Sequence, residues 1–361
     1  MADETAEDLR VEQRGAVVLV TLNRPKALNA LTGAMRTRFS EALWSAARNP
    51  DTYAVILRSA SERAFSTGSD VREVIAWGRT DPAKARAAFA EEYTLNWQCE
   101  CFSKPTIPLI NGVVMGGGVG ISQYGTHRVA GENYAFAMPE TMIGLFPDIG
   151  ICHVLGRLPG EAGTYLGLTG HTIRRADAYA LGLVTHCIDA SEFDAITSEI
   201  CDAWPVDPAL DDRHRDPGPG DLAPYAETIE RCFSAPTVEE IVARLDGVTG
   251  SAADWAKKMA VDLRRRSPIS LKITLRHLRE APKRDLRETL RVDYRLALRC
   301  LEDNDFYEGV RAALIDKDGE PRWRPSKLEA VTHGMVKLYF STLGSADLAL
   351  PSREDMQALR A

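Results

Sequence analysis

Short apolar runs rich in β-branched residues alternate with helical patterns in the first part of the chain. The runs cover residues 16–22, 53–59 and 106–114, and the third stops at a cluster of glycines. Runs of this length and composition predict buried strands. Because strands that alternate with helices pair mainly in parallel and are covered by those helices, the sequence predicts an α/β fold with a largely parallel sheet.

The stretch between the first two runs, residues 32–49, has the spacing of an amphipathic helix. Thr32 is placed to cap its first turn, since a threonine hydroxyl at that position accepts a hydrogen bond from a free backbone N–H. Four apolar residues fall on one face of this helix: Met35, Phe39, Leu43 and Ala46. We therefore predict that this face packs against the sheet.

The character of the chain changes beyond about residue 190. Residues 205–229 are rich in proline, glycine and aspartate, which predicts an irregular connection. Amphipathic stretches follow at residues 237–245, 252–266, 269–279 and 285–301. We predict two parts, a core that carries the site over residues 1–190 and a mostly helical region over residues 191–361.

The charge of the chain limits its partners. The 361 residues carry a formal net charge of −7, an acidic balance that argues against a general nucleic-acid-binding protein. No run reaches the roughly eighteen apolar residues that a membrane-spanning helix needs. We therefore expect neither a nucleic acid nor a membrane as partner.

The cysteines and the amino terminus bear on location. Among the seven cysteines, Cys99 and Cys101 form a Cys-x-Cys pair with no second pair or nearby histidine, so we expect reduced thiols and no metal site. The first ten residues are acidic and polar, unlike a secretory signal or a mitochondrial transit peptide. Both features predict a cytoplasmic protein.

The sequence Met-Gly-Gly-Gly-Val-Gly at residues 115–120 departs from the familiar glycine motifs. It lacks the glycine spacing of a dinucleotide-binding turn, and no Lys-Ser/Thr pair of a phosphate-binding loop follows it. Ser122 does not complete a nucleophile elbow, because the glycine that this motif requires lies one residue too far along. No His-Glu-x-x-His sequence occurs, so a zinc hydrolase has no support.

These glycines do provide backbone N–H groups at a strand-to-helix junction, where they can donate to a developing oxyanion. A second glycine-containing turn, residues 65–70, follows the second strand and contains Gly68 and Ser69. Donors from the two turns would form an oxyanion hole. The alternative is that both segments are only tight turns.

Four motifs in order resemble the crotonase (enoyl-CoA hydratase/isomerase) superfamily. They are NRPKALNAL, AFSTGSD, LINGVVMGGGVG and FAMPETMIGLFPDIG, beginning at residues 23, 64, 109 and 136. Three further segments resemble the 3-hydroxyisobutyryl-CoA hydrolase branch: EEYTLN, SPISLKITLRHL and DFYEGVRAALIDKDGEPRWRP. The resemblance extends from about residue 11 to residue 325. It implies a crotonase-type spiral of ββα units with a C-terminal helical region.

The resemblance implies an acyl-CoA substrate and no separate cofactor, since CoA is part of that substrate. The thioester oxygen would lie between the backbone N–H groups of Ser69 and Gly117. The remaining positions that it implies are Lys26, Ala27 and Leu28 along the CoA, and Glu92, Gly117, Glu140 and Asp148 at the acyl group. It also implies association through the C-terminal helices, with a monomer as the alternative.

Hydratases of this superfamily carry two glutamates, and the position of the first is Gly120 in this chain. The hydration machinery is therefore incomplete, and the resemblance assigns catalysis to Glu140 and Asp148. Glu140 would either attack the thioester or activate a water molecule. We predict hydrolysis of a short 3-hydroxyacyl-CoA, above all 3-hydroxyisobutyryl-CoA, as in valine catabolism.

Three alternatives stay open. The chain could catalyse another crotonase reaction, such as hydration or isomerisation, or it could bind acyl-CoA without catalysis. The bulky segment after Asp148 raises a third interpretation, in which Cys152 or His153 is catalytic. The basic stretch at residues 262–279 has two interpretations: a solvated helix face, above all at Arg264 to Arg266, or contact of Lys272 or a neighbouring arginine with the CoA phosphates.

Overall fold

The computed structural model describes residues 7–358 and contains two β-sheets. The larger sheet has the strand order β1-β2-β3-β5-β7-β10, and the smaller has the order β4-β6-β8-β9. The strands are β1 (Leu9–Arg14), β2 (Val17–Leu22), β3 (Ala54–Ser59), β4 (Ala64–Ser66), β5 (Thr106–Ile110), β6 (Val113–Met115), β7 (Val129–Ala130), β8 (Ala135–Ala137), β9 (Ile173–Arg174) and β10 (His186–Cys187).

The chain alternates between the two sheets. In each of the pairs β3/β4, β5/β6 and β7/β8, the first strand joins the larger sheet and the second joins the smaller. Neighbours pair in parallel from β2 to β10 in the larger sheet and from β4 to β8 in the smaller, while β1 and β9 pair antiparallel at one edge of each. The predicted α/β class with a largely parallel sheet is confirmed.

The apolar run at residues 106–114 is two strands, not the single strand that its composition predicts. The chain turns at Asn111 and Gly112, and Gly112 has a φ of +95°. A Cβ atom on Gly112 would lie 2.7 Å from the carbonyl carbon of Arg63, so the turn needs a glycine at this position. Hydrophobicity does not reveal this break, because both strands are buried and apolar.

The predicted amphipathic helix is confirmed as Gly33–Arg48. Thr32 caps it by accepting a hydrogen bond from the Met35 N–H at 3.2 Å. The four predicted apolar side chains are buried, and burying one large apolar side chain contributes roughly 1.5–3 kcal/mol. The other helices before residue 190 are Val71–Thr80, Pro82–Cys101, Gly117–Gly120, Ile151–Leu155, Ala162–Thr169 and Arg175–Ala180.

After β10, the described residues form helices and loops and no strand. The four predicted amphipathic helices are confirmed, and Thr237 and Asp285 cap the first and last of them. The helices are Phe193–Cys201, Val206–Asp211, Ala226–Phe233, Val238–Asp246, Ala253–Arg265, Pro268–Glu280, Leu286–Glu302, Asn304–Val310, His333–Tyr339 and Arg353–Ala358. One apolar core runs from β1 to the last of these helices, and the division near residue 190 stays a prediction.

The segment 205–229 is not wholly irregular, contrary to its composition. Val206–Asp211 is a helix, and Ala209 and Leu210 are buried in a second apolar cluster beside β2 and β3. Proline is tolerated in a first helical turn, where its missing N–H has no partner to lose. Burial of this short apolar stretch therefore overrides the turn-forming composition around it.

Three sequence-based expectations concern location, metals and membranes. The acidic amino terminus lies mostly outside the described residues, whereas all seven cysteines are described and none of them forms a disulfide bond. Within residues 7–358, no group of three or more metal-binding side chains is arranged to hold an ion. Over the same range, every helix is too short or too polar to cross a bilayer.

Candidate active site

One cavity of about 720 Å³ contains every residue that the sequence predicts for the site. Its wall is formed by the ends of β4 and β6, the turn after β8, the helix Pro82–Cys101 and the C-terminal segment near residue 314. The predicted residues in its lining are Lys26, Ala27, Leu28, Ser69, Glu92, Gly117, Glu140 and Asp148. The fold thus brings together positions spread over more than a third of the chain.

The two predicted backbone donors lie next to each other. Because β4 and β6 are parallel neighbours, the turns that follow them meet at the same edge of the smaller sheet. A Cβ atom on Gly117 would lie 3.2 Å from the Ser69 nitrogen, and one on Gly68 would lie 3.0 Å from the Gly117 nitrogen. Within residues 7–358, the N–H groups of Ser69 and Gly117 donate to no protein acceptor, so both are available to a ligand oxygen.

A side chain at position 117 would displace the polar groups around it. A Cβ atom there would overlap Oε1 of Glu92 and lie 2.8 Å from Oγ of Ser69. The Ser69 hydroxyl donates to Glu92 Oε1 at 2.5 Å, and this short bond fixes the Glu92 carboxylate beside the paired donors. The motif around Ser69 indicates only a backbone donor, so the contact of its side chain with Glu92 was not predicted.

Glu140 begins the single 3-10 turn Glu140–Ile143 after β8, and its side chain is buried. Its Oε2 atom is enclosed and has no hydrogen-bond partner in the described part of the chain. Burial, together with the negative charge of Glu92, raises the pKa of Glu140 to about 8, although a hydrogen bond from the Glu140 backbone opposes the shift. A carboxyl group with this pKa can exchange a proton near neutral pH.

Asp148 supplies the third buried carboxyl group of the cavity. Burial raises the pKa of Asp148 well above its usual range, and the charges of Glu92 and Glu140 raise it further. The Tyr93 hydroxyl donates to Asp148 Oδ2 at 2.7 Å, a contact that stabilises the ionised form. Burial and neighbouring negative charge thus raise the pKa values of both Glu140 and Asp148.

Two cationic side chains that the sequence did not predict for the site also line the cavity. Arg72 and Lys317 join the predicted Lys26 in its lining, and Arg72 is anchored by donating to the Leu314 carbonyl at 3.1 Å. Lys317 lies in the segment DFYEGVRAALIDKDGEPRWRP, which resembles the hydrolase branch, but the resemblance assigned this lysine no role. Lys272 lies outside this lining and forms an ion pair with Glu239 at 2.6 Å. This position argues against contact of Lys272 with the CoA phosphates.

Comparison with known proteins shows which family this chain belongs to. A family model described as enoyl-CoA hydratase/isomerase matches residues 17–340. The 3-hydroxyisobutyryl-CoA hydrolase, mitochondrial, of Danio rerio is 40% identical over 97% of this chain and 94% of its own. The human protein of the same name is 39% identical over 96% of this chain and 91% of its own. The chain belongs to the enoyl-CoA hydratase/isomerase family.

Two solved structures share the whole fold of this family member. One is described as a carnitinyl-CoA dehydratase from Mycobacterium thermoresistibile, with a TM-score of 0.90, 37% identity, and coverage of 95% of this chain and 98% of its own. The other is described as an enoyl-CoA hydratase from Rhodobacter sphaeroides 2.4.1. It has a TM-score of 0.88 and 35% identity, and the match covers 95% of this chain and 100% of the hydratase chain. The predicted resemblance and the predicted crotonase-type α/β fold are confirmed.

Gly120 occupies the position where the family resemblance places the first glutamate of a hydratase. A Cβ atom on Gly120 would lie 2.5 Å from Nδ2 of Asn96 and 3.3 Å from Cβ of Ile149. Asn96 is buried, and neither polar atom of its amide has a hydrogen-bond partner in the described residues. The amide of Asn96 therefore fills the space that a side chain at position 120 would need.

Gly120→Glu is accordingly expected to destabilise the protein without creating a hydratase. Overpacking of this kind costs roughly 1–3 kcal/mol, which thermal denaturation would detect. We expect no loss of enoyl-CoA absorbance from the single variant, and partial recovery of stability when Asn96→Ala relieves the overlap. Wild-type stability of Gly120→Glu together with hydration of an enoyl-CoA would contradict this account of the position.

Cys152 and His153 do not line the cavity. The Cys152 thiol is buried and donates to the Pro147 carbonyl at 3.1 Å, and burial raises its pKa well above the usual range. A thiol held in its neutral form is a poor nucleophile. The interpretation in which either residue is catalytic therefore loses its structural support.

Proposed function

We propose that this protein hydrolyses a short 3-hydroxyacyl-CoA thioester, with 3-hydroxyisobutyryl-CoA as the substrate. The observation that carries the proposal is the buried Glu140 carboxyl group, which shares one cavity with two unpaired backbone N–H groups while position 120 bears no acid. Hydration of a double bond uses two glutamates in this family, whereas thioester hydrolysis needs one attacking or activating group. The names of the curated relatives support the same reaction.

In the proposed reaction, the thioester oxygen accepts hydrogen bonds from the N–H groups of Ser69 and Gly117. Loss of one such donor typically costs about 3 kcal/mol of transition-state stabilisation. The ionised Glu140 then either attacks the carbonyl carbon, giving an anhydride that water opens, or removes a proton from the attacking water. The C–S bond breaks, the oxygen of water forms the new C–O bond, and the proton that this water gives up passes to the departing thiolate, so the products are the free acid and the CoA thiol.

Other residues of the cavity would hold the substrate. Asp148, whose carboxyl group lies beside Tyr93, would bind the 3-hydroxyl group, while Glu92 would line the acyl pocket. Lys26, Ala27 and Leu28 would follow the CoA, because a short helical turn presents them at the cavity wall. Positive side chains in this wall would favour the CoA phosphates.

Release of free CoA tests the proposal. Purified protein is incubated with 3-hydroxyisobutyryl-CoA, and the new thiol is followed with a chromogenic thiol reagent. Catalytic release supports hydrolysis. Loss of enoyl-CoA absorbance without thiol release would favour a hydratase. This outcome is tested because the two similar solved structures are described as a dehydratase and a hydratase. Tight acyl-CoA binding in calorimetry without turnover over a panel of esters would favour a non-catalytic binder.

The wider setting forms part of the same proposal. We place the reaction in valine catabolism and the protein in the cytoplasm, where its seven cysteines, none of which forms a disulfide bond, would stay reduced. The relatives are named as mitochondrial, so cell fractionation with a mitochondrial marker is the relevant test of location. Association through the C-terminal helices is tested by light scattering of the purified chain.

The pH dependence of kcat/KM should report the Glu140 carboxyl group. Burial raises the pKa of Glu140 to about 8, and only its ionised form can attack or accept a proton. We therefore expect kcat/KM to rise about tenfold per pH unit below about pH 8 and to level off above it. Initial rates of thiol release between about pH 6 and pH 9.5, corrected for spontaneous hydrolysis, measure this. A profile that is flat across that range would contradict the role given to Glu140.

A further inference from the structure

The turn that carries Asp148 has an unusual backbone. Ile149 has a φ of +56° and Gly150 a φ of +78°, so two consecutive residues lie in the left-handed region. A β-branched residue rarely adopts this conformation, because its side chain crowds the neighbouring carbonyl group. Such a backbone persists only where the surrounding structure enforces it, and it is found most often at functional sites.

Two tyrosines hold the first part of this turn. The Tyr93 hydroxyl donates to Asp148 Oδ2 at 2.7 Å, and the Tyr124 hydroxyl donates to the Ile149 carbonyl at 2.7 Å. Tyr93 lies on the helix Pro82–Cys101, whereas Tyr124 lies in the turns after the glycine cluster. Both contacts approach the turn from the N-terminal half of the chain.

The third contact comes from the C-terminal helices. The Gly150 N–H donates to Asp293 Oδ2 at 2.6 Å, and Asp293 Oδ1 lies 2.6 Å from His277 Nε2. The side chains of Asp293 and His277 are fully buried, and neither residue lines the cavity. The carboxylate of Asp293 thus touches the turn on one side and an imidazole on the other, and it has no route to the substrate.

We propose that Asp293, held in place by His277, is a positioning residue for Asp148. Asp293 accepts the hydrogen bond from the Gly150 N–H and stabilises the left-handed turn, and it thereby holds the Asp148 carboxyl group in the cavity. This inference rests on the proposed hydrolase function. It assigns to the C-terminal helices a part in the geometry of the site, through a contact between residues 143 positions apart.

The decisive comparison is between Asp293→Leu and Asp293→Asn. Leucine has a similar size but accepts no hydrogen bond, so we expect kcat to fall about 100-fold while KM changes less than about threefold. Asparagine keeps an oxygen for the Gly150 N–H, and its amide can donate to His277 if the imidazole proton moves to Nδ1, which has no partner in the described residues. We therefore expect Asp293→Asn to restore kcat to within about fivefold of wild type.

A second variant and a control separate positioning from simple loss of stability. Tyr124→Phe loosens the same turn from the other side and should lower kcat about tenfold, which keeps the test valid if Asp293→Leu does not fold. Thr197→Val removes a hydrogen bond, 2.7 Å from the hydroxyl to the Phe193 carbonyl, in the helix Phe193–Cys201, none of whose residues lines the cavity. That control should lower the unfolding temperature and leave kcat unchanged.

Amide hydrogen exchange at Gly150 gives a readout that does not depend on activity, and faster exchange is expected in both turn variants. Absence of hydrolysis by the native protein would overturn the proposed function. Hydrolysis by the native protein, with wild-type kcat and wild-type Gly150 exchange in folded Asp293→Leu or in Tyr124→Phe, would overturn only the positioning role.

Discussion

Replacing Glu140 by glutamine is expected to lower kcat for thioester hydrolysis by about 10³-fold or more, because neither route of attack is open to an amide. Such a loss corresponds to about 4 kcal/mol of transition-state stabilisation. The side chain is buried and its Oε2 atom has no partner in the described residues, so glutamine loses no existing hydrogen bond. The fold should therefore survive the change.

Binding of the substrate should survive it as well. With a pKa of about 8, Glu140 is largely protonated at neutral pH, and glutamine has nearly the shape and charge of the protonated acid. Calorimetry with a CoA ester should give a Kd within about threefold of the wild-type value, which separates loss of catalysis from loss of binding.

Glu91→Gln provides the matched control for this change. Glu91 precedes Glu92 on the same helix, but its side chain is exposed and does not line the cavity. The same chemical change there should leave kcat and KM unaltered. Undiminished thiol release by Glu140→Gln would remove the observation on which the proposed function depends.

The pH dependence of the free energy of unfolding should also reflect the Glu140 carboxyl group. The pKa of Glu140 is higher in the folded chain than in the unfolded chain, so between about pH 4.5 and pH 8 the folded state binds more protons. The free energy of unfolding therefore decreases as pH rises through this window. Glu140→Gln removes that contribution, and urea denaturation at both ends of the window should show a smaller pH dependence.

Local patterns in the sequence were sufficient for the parts of the site that are local in the chain. Glycines placed where two strands end suggest backbone donors, and the family resemblance assigns these donors to Ser69 and Gly117 and the acyl site to Glu140 and Asp148. The helix Gly33–Arg48 and its cap at Thr32 follow from periodicity and from capping chemistry. Each of these depends on neighbours within a few residues.

What the sequence could not reveal depends on contacts between distant residues. The bond from Ser69 to Glu92 joins positions 23 residues apart, and that from Tyr93 to Asp148 joins positions 55 apart. The overlap of Asn96 with a side chain at Gly120 is equally invisible to hydrophobic periodicity. Because such contacts are fixed by tertiary packing, no local pattern predicts them, and they decide how the carboxyl groups are oriented and charged.

Asp148→Asn should reduce kcat by about 10²-fold, a smaller loss than that of Glu140→Gln, because in the proposed reaction Asp148 assists and orients whereas Glu140 reacts. The asparagine oxygen can still accept the Tyr93 hydrogen bond, so the turn should keep its shape. Asp177→Asn is the matched control, since Asp177 is 4% exposed against 6% for Asp148 and lies outside the cavity lining. Its kcat should equal that of the wild type.

Two comparisons then define what the Asp148 carboxyl group does. If it holds the 3-hydroxyl group, Asp148→Asn should lose more activity on 3-hydroxyisobutyryl-CoA than on isobutyryl-CoA, which lacks that hydroxyl.

Tyr93→Phe tests the charge of the Asp148 carboxyl group, because the Tyr93 hydrogen bond lowers the pKa of Asp148 against the effects of burial and of its neighbours. Without that bond the pKa rises further and the ionised fraction at a given pH falls. If Asp148 acts as an anion, the rising limb of kcat/KM should therefore move to higher pH in Tyr93→Phe. An unmoved limb, together with equal losses on both esters, would exclude both roles.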